Sequence, residues 1–116
     1  MKMLHVTIQT NKFEEEIRFY REIVGLEITG DMRAHGRNLV FLSGGEGQTA
    51  IEIIENPEVE NAGGAGLSIG FKTEDVEKKH EDLAAQGFEV SPILSPVPNV
   101  RFFFATDPAG VKVQFI

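Results

Sequence analysis

Two stretches decide the fold: Leu4-His5-Val6-Thr7-Ile8-Gln9 near the start and Leu67-Ser68-Ile69-Gly70-Phe71-Lys72 past the middle. In the first, Leu4, Val6 and Ile8 alternate with His5, Thr7 and Gln9; in the second, Leu67, Ile69 and Phe71 alternate with Ser68, Gly70 and Lys72. That period of two is the pattern of a strand with one buried face. An offset of 63 lays Val6 on Ile69 and Ile8 on Phe71. Each stretch gives way to a helical period. Phe13, Ile17, Tyr20 and Ile23 or Val24 share one face, with Glu14, Glu15, Arg18, Arg21 and Glu22 mostly outward; Val76, His80 and Leu83 repeat that face. Thr10 or Asn11 is placed to cap the first helix, whose acidic first turn suits the helix dipole, and Gly25 and Gly87 are placed to end the two.

Three short strands are expected after each helix, at 26–32, 38–42 and 49–54, then at 88–90, 100–105 and 111–116. Gly36, the Gly44-Gly45-Glu46-Gly47 cluster and Asp107-Pro108-Ala109-Gly110 supply turns. With a one-residue slip at the helix end the offset becomes 62, placing Gly25 on Gly87, Ile28 on Val90, Leu42 on Phe104 and Ile51 on Val113. The fold class this predicts is α+β: two tandem βαβββ units, 1–55 and 67–116, joined by a linker over 56–66 within one domain. Helices cover one side of each curved mixed sheet while the other sides form a cup. A ferredoxin-like βαββαβ domain would need fewer strands after each helix.

Eleven Lys and Arg against eighteen Asp and Glu give a net charge of −7, and no basic stripe offers the electrostatic footing that nucleic acid binding requires. The absence of cysteine removes disulfides, thiolate ligands and a cysteine nucleophile together. No apolar run reaches the length of a membrane span, and Met1 to His5 lead straight into the alternation without a signal-peptide core, so a cytoplasmic protein is expected. There is no phosphate-binding Gly-Lys-Ser/Thr loop and no Ser/His/acid triad, because Ser68 has only His5 as a base and no orienting third group.

Alternation also picks out the cup. On the first strand of each unit the face away from the helix carries His5 and Ser68; on the last strand it carries Glu52 and Gln114. A carboxylate among Ala50, Ile51, Ile53 and Ile54 demands a partner, which makes Glu52 the candidate base; His5, satisfied by Thr7 or Glu52, could equally be a packing histidine. His80, equivalent to Ile17, is expected to pack, and His35 to be a solvated turn residue. The Arg33-Ala34-His35-Gly36-Arg37 hairpin is a candidate mobile lip over an anionic ligand. Thr7, beside His5, together with Arg101 and Phe103, which share one strand face, are candidate small-molecule contacts.

The chain resembles the glyoxalase/bleomycin-resistance/dioxygenase superfamily, the vicinal oxygen chelate fold. The residues that carry the likeness are Leu4-His5-Val6-Thr7-Ile8, Ile17-Arg18-Phe19-Tyr20 with Val24-Gly25-Leu26, Leu83 with Gly87-Phe88-Glu89-Val90, and Arg101-Phe102-Phe103-Phe104 leading to Asp107-Pro108-Ala109-Gly110. The resemblance implies one ligand from each of the four cup positions to a divalent metal (Zn, Ni, Mn or Fe). His5, Glu52 and Gln114 are acceptable ligands; Ser68 departs from the histidine common there. It implies either a metal-dependent lyase or isomerase acting on vicinal oxygens, with Glu52 as base, or a metal-free protein that binds a small molecule or antibiotic. Gln114 in place of a glutamate departs from glyoxalase I, and Ser68 departs from a ring-cleaving oxygenase. Short two-unit chains of the superfamily commonly pair, so a homodimer is expected.

Overall fold

The first period-two stretch becomes an edge strand. In the computed structural model, which describes residues 1–116, the chain divides into two units, Met1–Ala62 and Gly63–Ile116. The first contains β1 (His5–Thr10), α1 (Phe13–Arg18), β2 (Glu27–Asp31), β3 (Leu39–Ser43) and β4 (Ala50–Glu55). Its sheet runs β1-β4-β3-β2, with β1 parallel to β4 and the other neighbours antiparallel. The Thr10 hydroxyl accepts the Lys12 N–H at 3.0 Å just before α1, but the N-cap is Lys12 and no side chain caps the helix, so neither Thr10 nor Asn11 is the cap expected from sequence. α1 then widens into a π-turn over Phe19–Ile23, where Val24 N–H reaches back to the Phe19 carbonyl. The widening changes the facing pattern, so Phe19 and Tyr20 are both enclosed, and Glu16 is fully buried beside Ile17. Sequence periodicity identifies neither Phe19 nor Glu16 as interior.

Ile8, Val40, Leu42, Ile51 and Ile53 supply the buried sheet face of this unit, and α1 packs on β4. Each such side chain contributes roughly 1.5–3 kcal/mol when taken fully out of water. The opposite face holds His5, Thr7, Phe41 and Glu52, as the alternation and the pairing of Thr7 and Phe41 with Glu52 require.

The second unit contains β5 (Ser68–Phe71), α2 (Val76–Ala85), β6 (Phe103–Thr106) and β7 (Lys112–Phe115), in the order β5-β7-β6. Asp75 caps α2 by accepting the Lys78 N–H at 3.1 Å. Gly25 and Gly87, equivalent in the repeat, both have φ of +87°, the left-handed conformation that closes a helix without a Cβ penalty. Val76 and Leu83 of α2, with Phe103, Ala105, Val113 and Phe115, are the buried hydrophobics of this unit's helix and sheet.

The strand expected at 88–90 is not a ladder strand. It makes a single bridge, Val90 to Ala105, followed by another from Leu94 to Phe102, with the register slipped by one residue between them. Pro92 has no N–H to donate, and the Ser91 hydroxyl accepts the Phe104 N–H at 2.9 Å in place of a backbone carbonyl. Strand pairing also corrects the repeat. Leu42 pairs with Ile51 while Ala105 pairs with Val113, so Leu42 corresponds to Ala105 rather than to Phe104. The connection from β6 to β7 is one residue shorter than that from β3 to β4.

The last turn is built around one carboxylate. Asp107, only 4% exposed, accepts the Ala109 N–H at 3.0 Å and the Val111 N–H at 2.8 Å through Oδ1. Asp107→Ala is expected to leave both donors short of an acceptor and to lower stability by about 2–3 kcal/mol in urea unfolding. Asp107→Asn, which keeps an acceptor oxygen, should recover most of that loss.

Candidate functional site

The parallel register of β1 with β4 sets Thr7 opposite Glu52 and His5 opposite Ala50. Side chains two apart on a strand share a face, so the imidazole, the hydroxyl and the carboxylate meet on the open side of the first unit. Thr7 Oγ1 donates to Glu52 Oε1 at 2.6 Å. His5 Nε2 stands 3.5 Å from the same oxygen, with the histidine side chain 37% exposed and the glutamate 12%. Glu52 Oε2 has no partner within the chain. The Phe41 ring, opposite Glu52 in the ladder, meets the His5 ring edge-on at 5.5 Å. Phe41 is a site residue that the sequence reading overlooked; the register of β3 against β4 is the signal that finds it.

In the second unit Gln114 lies opposite Gly70 and Phe104, on the open face with Ser68. Its Oε1 would be 3.1 Å from a Cβ built on Gly70. Ser68 is exposed and pairs with Lys112. Phe104 is therefore to Gln114 what Phe41 is to Glu52, and it meets Phe102 edge-on at 5.7 Å.

Phe103 does not lie on the open sheet face. It is fully buried, stacked on Phe115 at 5.3 Å and met edge-on by His80 at 4.9 Å. Three consecutive phenylalanines hide the phase of the alternation, and the pairing of Phe103 with Phe115 fixes it the other way. Arg101 is also elsewhere: it forms an ion pair with Glu77 of α2 and lines a cleft of about 370 Å³ with Thr73, Asp75 and Ile116. His80 packs as its repeat position suggests, with Nε2 at 2.8 Å from the Ser91 carbonyl.

The expected lip carries less free charge than its sequence implies. Arg33 begins a single 3-10 turn, Arg33–His35, and is clamped to Asp31: Nε and Nη2 both reach the carboxylate, at 2.9 and 2.7 Å. The guanidinium bonds, helped by the Arg33 backbone N–H, hold the Asp31 carboxyl down at about 2. Arg33 also lines a cleft of about 730 Å³ with Ile17, Arg18, Arg21, Leu26 and Ile28, a larger hollow that does not include His5 or Glu52. The chemically distinctive groups, rather than this cleft, mark the candidate site.

Residues 2–115 match the model of the Glyoxalase/Bleomycin resistance protein/Dioxygenase superfamily. The chain is 27% identical to a lactoylglutathione lyase from Haemophilus influenzae, over all of this chain and 92% of that protein. Among solved structures it is similar to the trypanothione-dependent glyoxalase I of Leishmania major, with a TM-score of 0.77 and 25% identity over 100% of this chain and 86% of that one. It is also similar in fold to TnmS3, an antibiotic binding protein from Streptomyces sp. CB03234, with a TM-score of 0.73 and 20% identity over 99% and 93% of the two chains.

Asp31 offers a pH test of the clamped hairpin. Its folded value is depressed from 3.8 to about 2, so its stabilising contribution is complete above the unfolded value and disappears as pH falls through about 2. The carboxyl carbon resonance of Asp31 should titrate with a midpoint near that value, and Arg33→Ala should move the midpoint most of the way back toward an ordinary aspartate.

Proposed function

Since the chain belongs to the Glyoxalase/Bleomycin resistance protein/Dioxygenase superfamily, we propose that it is a metal-dependent lyase or isomerase for a small molecule with two adjacent oxygens. The observation that supports this reading is the pair His5 and Glu52, 3.5 Å apart on an open sheet face. Two donors on one zinc-like ion, with bonds of about 2.0–2.1 Å, stand roughly 3.0–3.4 Å apart, so these two groups fit a common divalent ion with little movement. Gln114 and Ser68, at the positions equivalent by the repeat, are weaker donors, and as further ligands they would leave room for water or substrate. When bound, such an ion polarises the substrate oxygens as a Lewis acid.

The chain's own groups have separate parts in the proposal. His5 supplies a neutral imidazole and has the Phe41 ring against its edge. Glu52 is the base: Oε1 is occupied by Thr7, while Oε2 is the oxygen left to take a proton from a carbon next to a carbonyl and return it to the neighbouring position. Phe41 and Phe104 are proposed as apolar walls, in place of Phe103. A lactoylglutathione lyase among the relatives supports lyase chemistry of this kind.

A second reading is a metal-free binding protein. The edge-to-face pair of half-buried Phe104 on β6 and half-buried Phe102 just before it favours it, because such a pair suits a flat apolar ligand.

Homodimerisation is part of the proposal. β1 and β5 are each the outer strand of their sheet, and edge strands present unpaired N–H and C=O groups to a second chain. Light scattering should give twice the chain mass; a monomer would refute pairing.

Purified protein dialysed against Ni, Zn or Mn should retain about one ion per site by elemental analysis. His5→Ala and Glu52→Ala should each weaken binding at least about 100-fold, beyond the roughly 10- to 100-fold that loss of an outer-shell partner costs. Failure to bind any of these ions at micromolar concentration would leave the metal-free reading.

A further inference from the structure

We propose that the open face of the second unit holds the non-reacting part of the ligand, and that this part is an apolar, aryl-like body ending in one anionic group such as a carboxylate. The inference rests on the reading above in one respect: it takes the open sheet faces as the ligand-binding faces. Strand register lays out the rows. Ser68 pairs with Lys112 and Lys112 with Thr106, so two hydroxyl residues flank an ammonium across the three strands. Two residues further along, Gly70, Gln114 and Phe104 form the next row on the same face. Beyond it Phe102, edge-on to Phe104 at 5.7 Å, is bridged to Leu94 by backbone hydrogen bonds of 2.8 and 3.0 Å. Directly paired residues share a face, so Leu94, 42% exposed, extends the apolar end. Within one unit the face runs from cationic to apolar.

Lys112 is the residue that needs a reason. Lysine on an edge strand guards against unwanted pairing, but β7 is the middle strand of its sheet. The equivalent residue of the first unit, paired with His5 as Lys112 is with Ser68, is Ala50, so the repeat demands no long cation there. Lys112 is exposed and forms no ion pair, although Glu89 lies alongside β6 with its carbonyl accepting the Thr106 N–H. β5, β6 and β7 themselves contain no carboxylate. An ammonium flanked by hydroxyls suits a carboxylate oxygen. It also repels a divalent ion, which makes the Ser68 hydroxyl a better donor to an anion than ligand to a metal. Gln114 leans toward β5, its Oε1 where a Cβ on Gly70 would be 3.1 Å away, and so leaves the β6 side to the ligand. Alternate residues stand roughly 7 Å apart along a strand, which sets the span between the anionic group and the ring.

Three probes that differ at one end only test this: phenylbutyrate, phenylbutanol and phenylbutylamine, titrated into the metal-free full chain and followed by amide NMR shifts. The net charge of −7 by itself favours the amine. The opposite order is expected, with the acid bound about fivefold or more tighter than the alcohol, the amine weakest, and shifts centred on Ser68, Phe104, Lys112 and Gln114. Lys112→Gln should abolish the preference for acid over alcohol, whereas Phe104→Ala should weaken both by about 10-fold or more. No binding of the acid at millimolar concentration, shifts centred elsewhere, a preference for the amine, or a preference for the acid that survives in Lys112→Gln would overturn the proposal. If the acid binds at these residues while the chain retains no Ni, Zn or Mn, the ligand class stands and the metal-site reading falls.

Discussion

The parallel pairing of β1 with β4 is the constraint on which the candidate site depends, because it converts residues far apart in the chain into neighbours. Thr7 meets Glu52 only in this register, and His5 comes within reach of the carboxylate only because it lies two residues before Thr7. What holds the register is on the other side of the sheet. Ile51 and Ile53 flank Glu52 and are buried, as is Ile8 beside Thr7. A slip of one residue would turn the isoleucines of β4 toward water and Glu52 toward the core. Exposing two isoleucines alone costs about 3–6 kcal/mol, and burying an unpaired carboxylate adds several more. The apolar residues thus keep the reactive ones facing outward.

The two units follow one plan with different chemistry on their open faces. Phe41 and Phe104 occupy matching places, each across the ladder from the residue that would accept or ligate: Glu52 in one, Gln114 in the other. Around this shared arrangement the first unit has His5 and Thr7 where the second has Ser68 and Gly70. The strongest donors are all in the first unit. The second contributes an amide, an exposed hydroxyl and the Phe102–Phe104 pair, better suited to holding an apolar ligand than to charge chemistry.

Much of this was legible in the sequence because it depends on local rules. Alternation marks a half-buried strand wherever it falls, and glycine ends a helix because only it takes a left-handed conformation freely, as Gly25 and Gly87 both do. The shared face of His5 and Glu52 followed from alternation alone. What was not legible depends on pairing between distant strands. A run of three phenylalanines has no phase of its own, so the inward turn of Phe103 is set by Phe115 across the ladder. The π-turn after α1 changes the helical period at Phe19, which a constant period of 3.6 residues cannot anticipate. At 88–94, Pro92 and the Ser91 hydroxyl interrupt what hydrophobicity reads as a strand.

The arginines show why local charge is a poor guide to a site compared with register. Arg33 and Arg101 looked like free cations awaiting an anionic ligand, yet each is matched by a carboxylate: Asp31 two residues away, and Glu77 on the helix. Exposed pairs of this kind add little stability, but they orient the long side chains involved. His5 and Glu52 differ because neither is satisfied by the other at 3.5 Å, and the group that does satisfy one carboxylate oxygen comes from the same rigid ladder. A polar pair built on neighbouring strands, with both of its contacts made through one carboxylate oxygen, remains available to something from outside the chain. That unmet bonding capacity, more than the mere presence of a histidine and a glutamate, distinguishes this patch from the rest of the acidic surface.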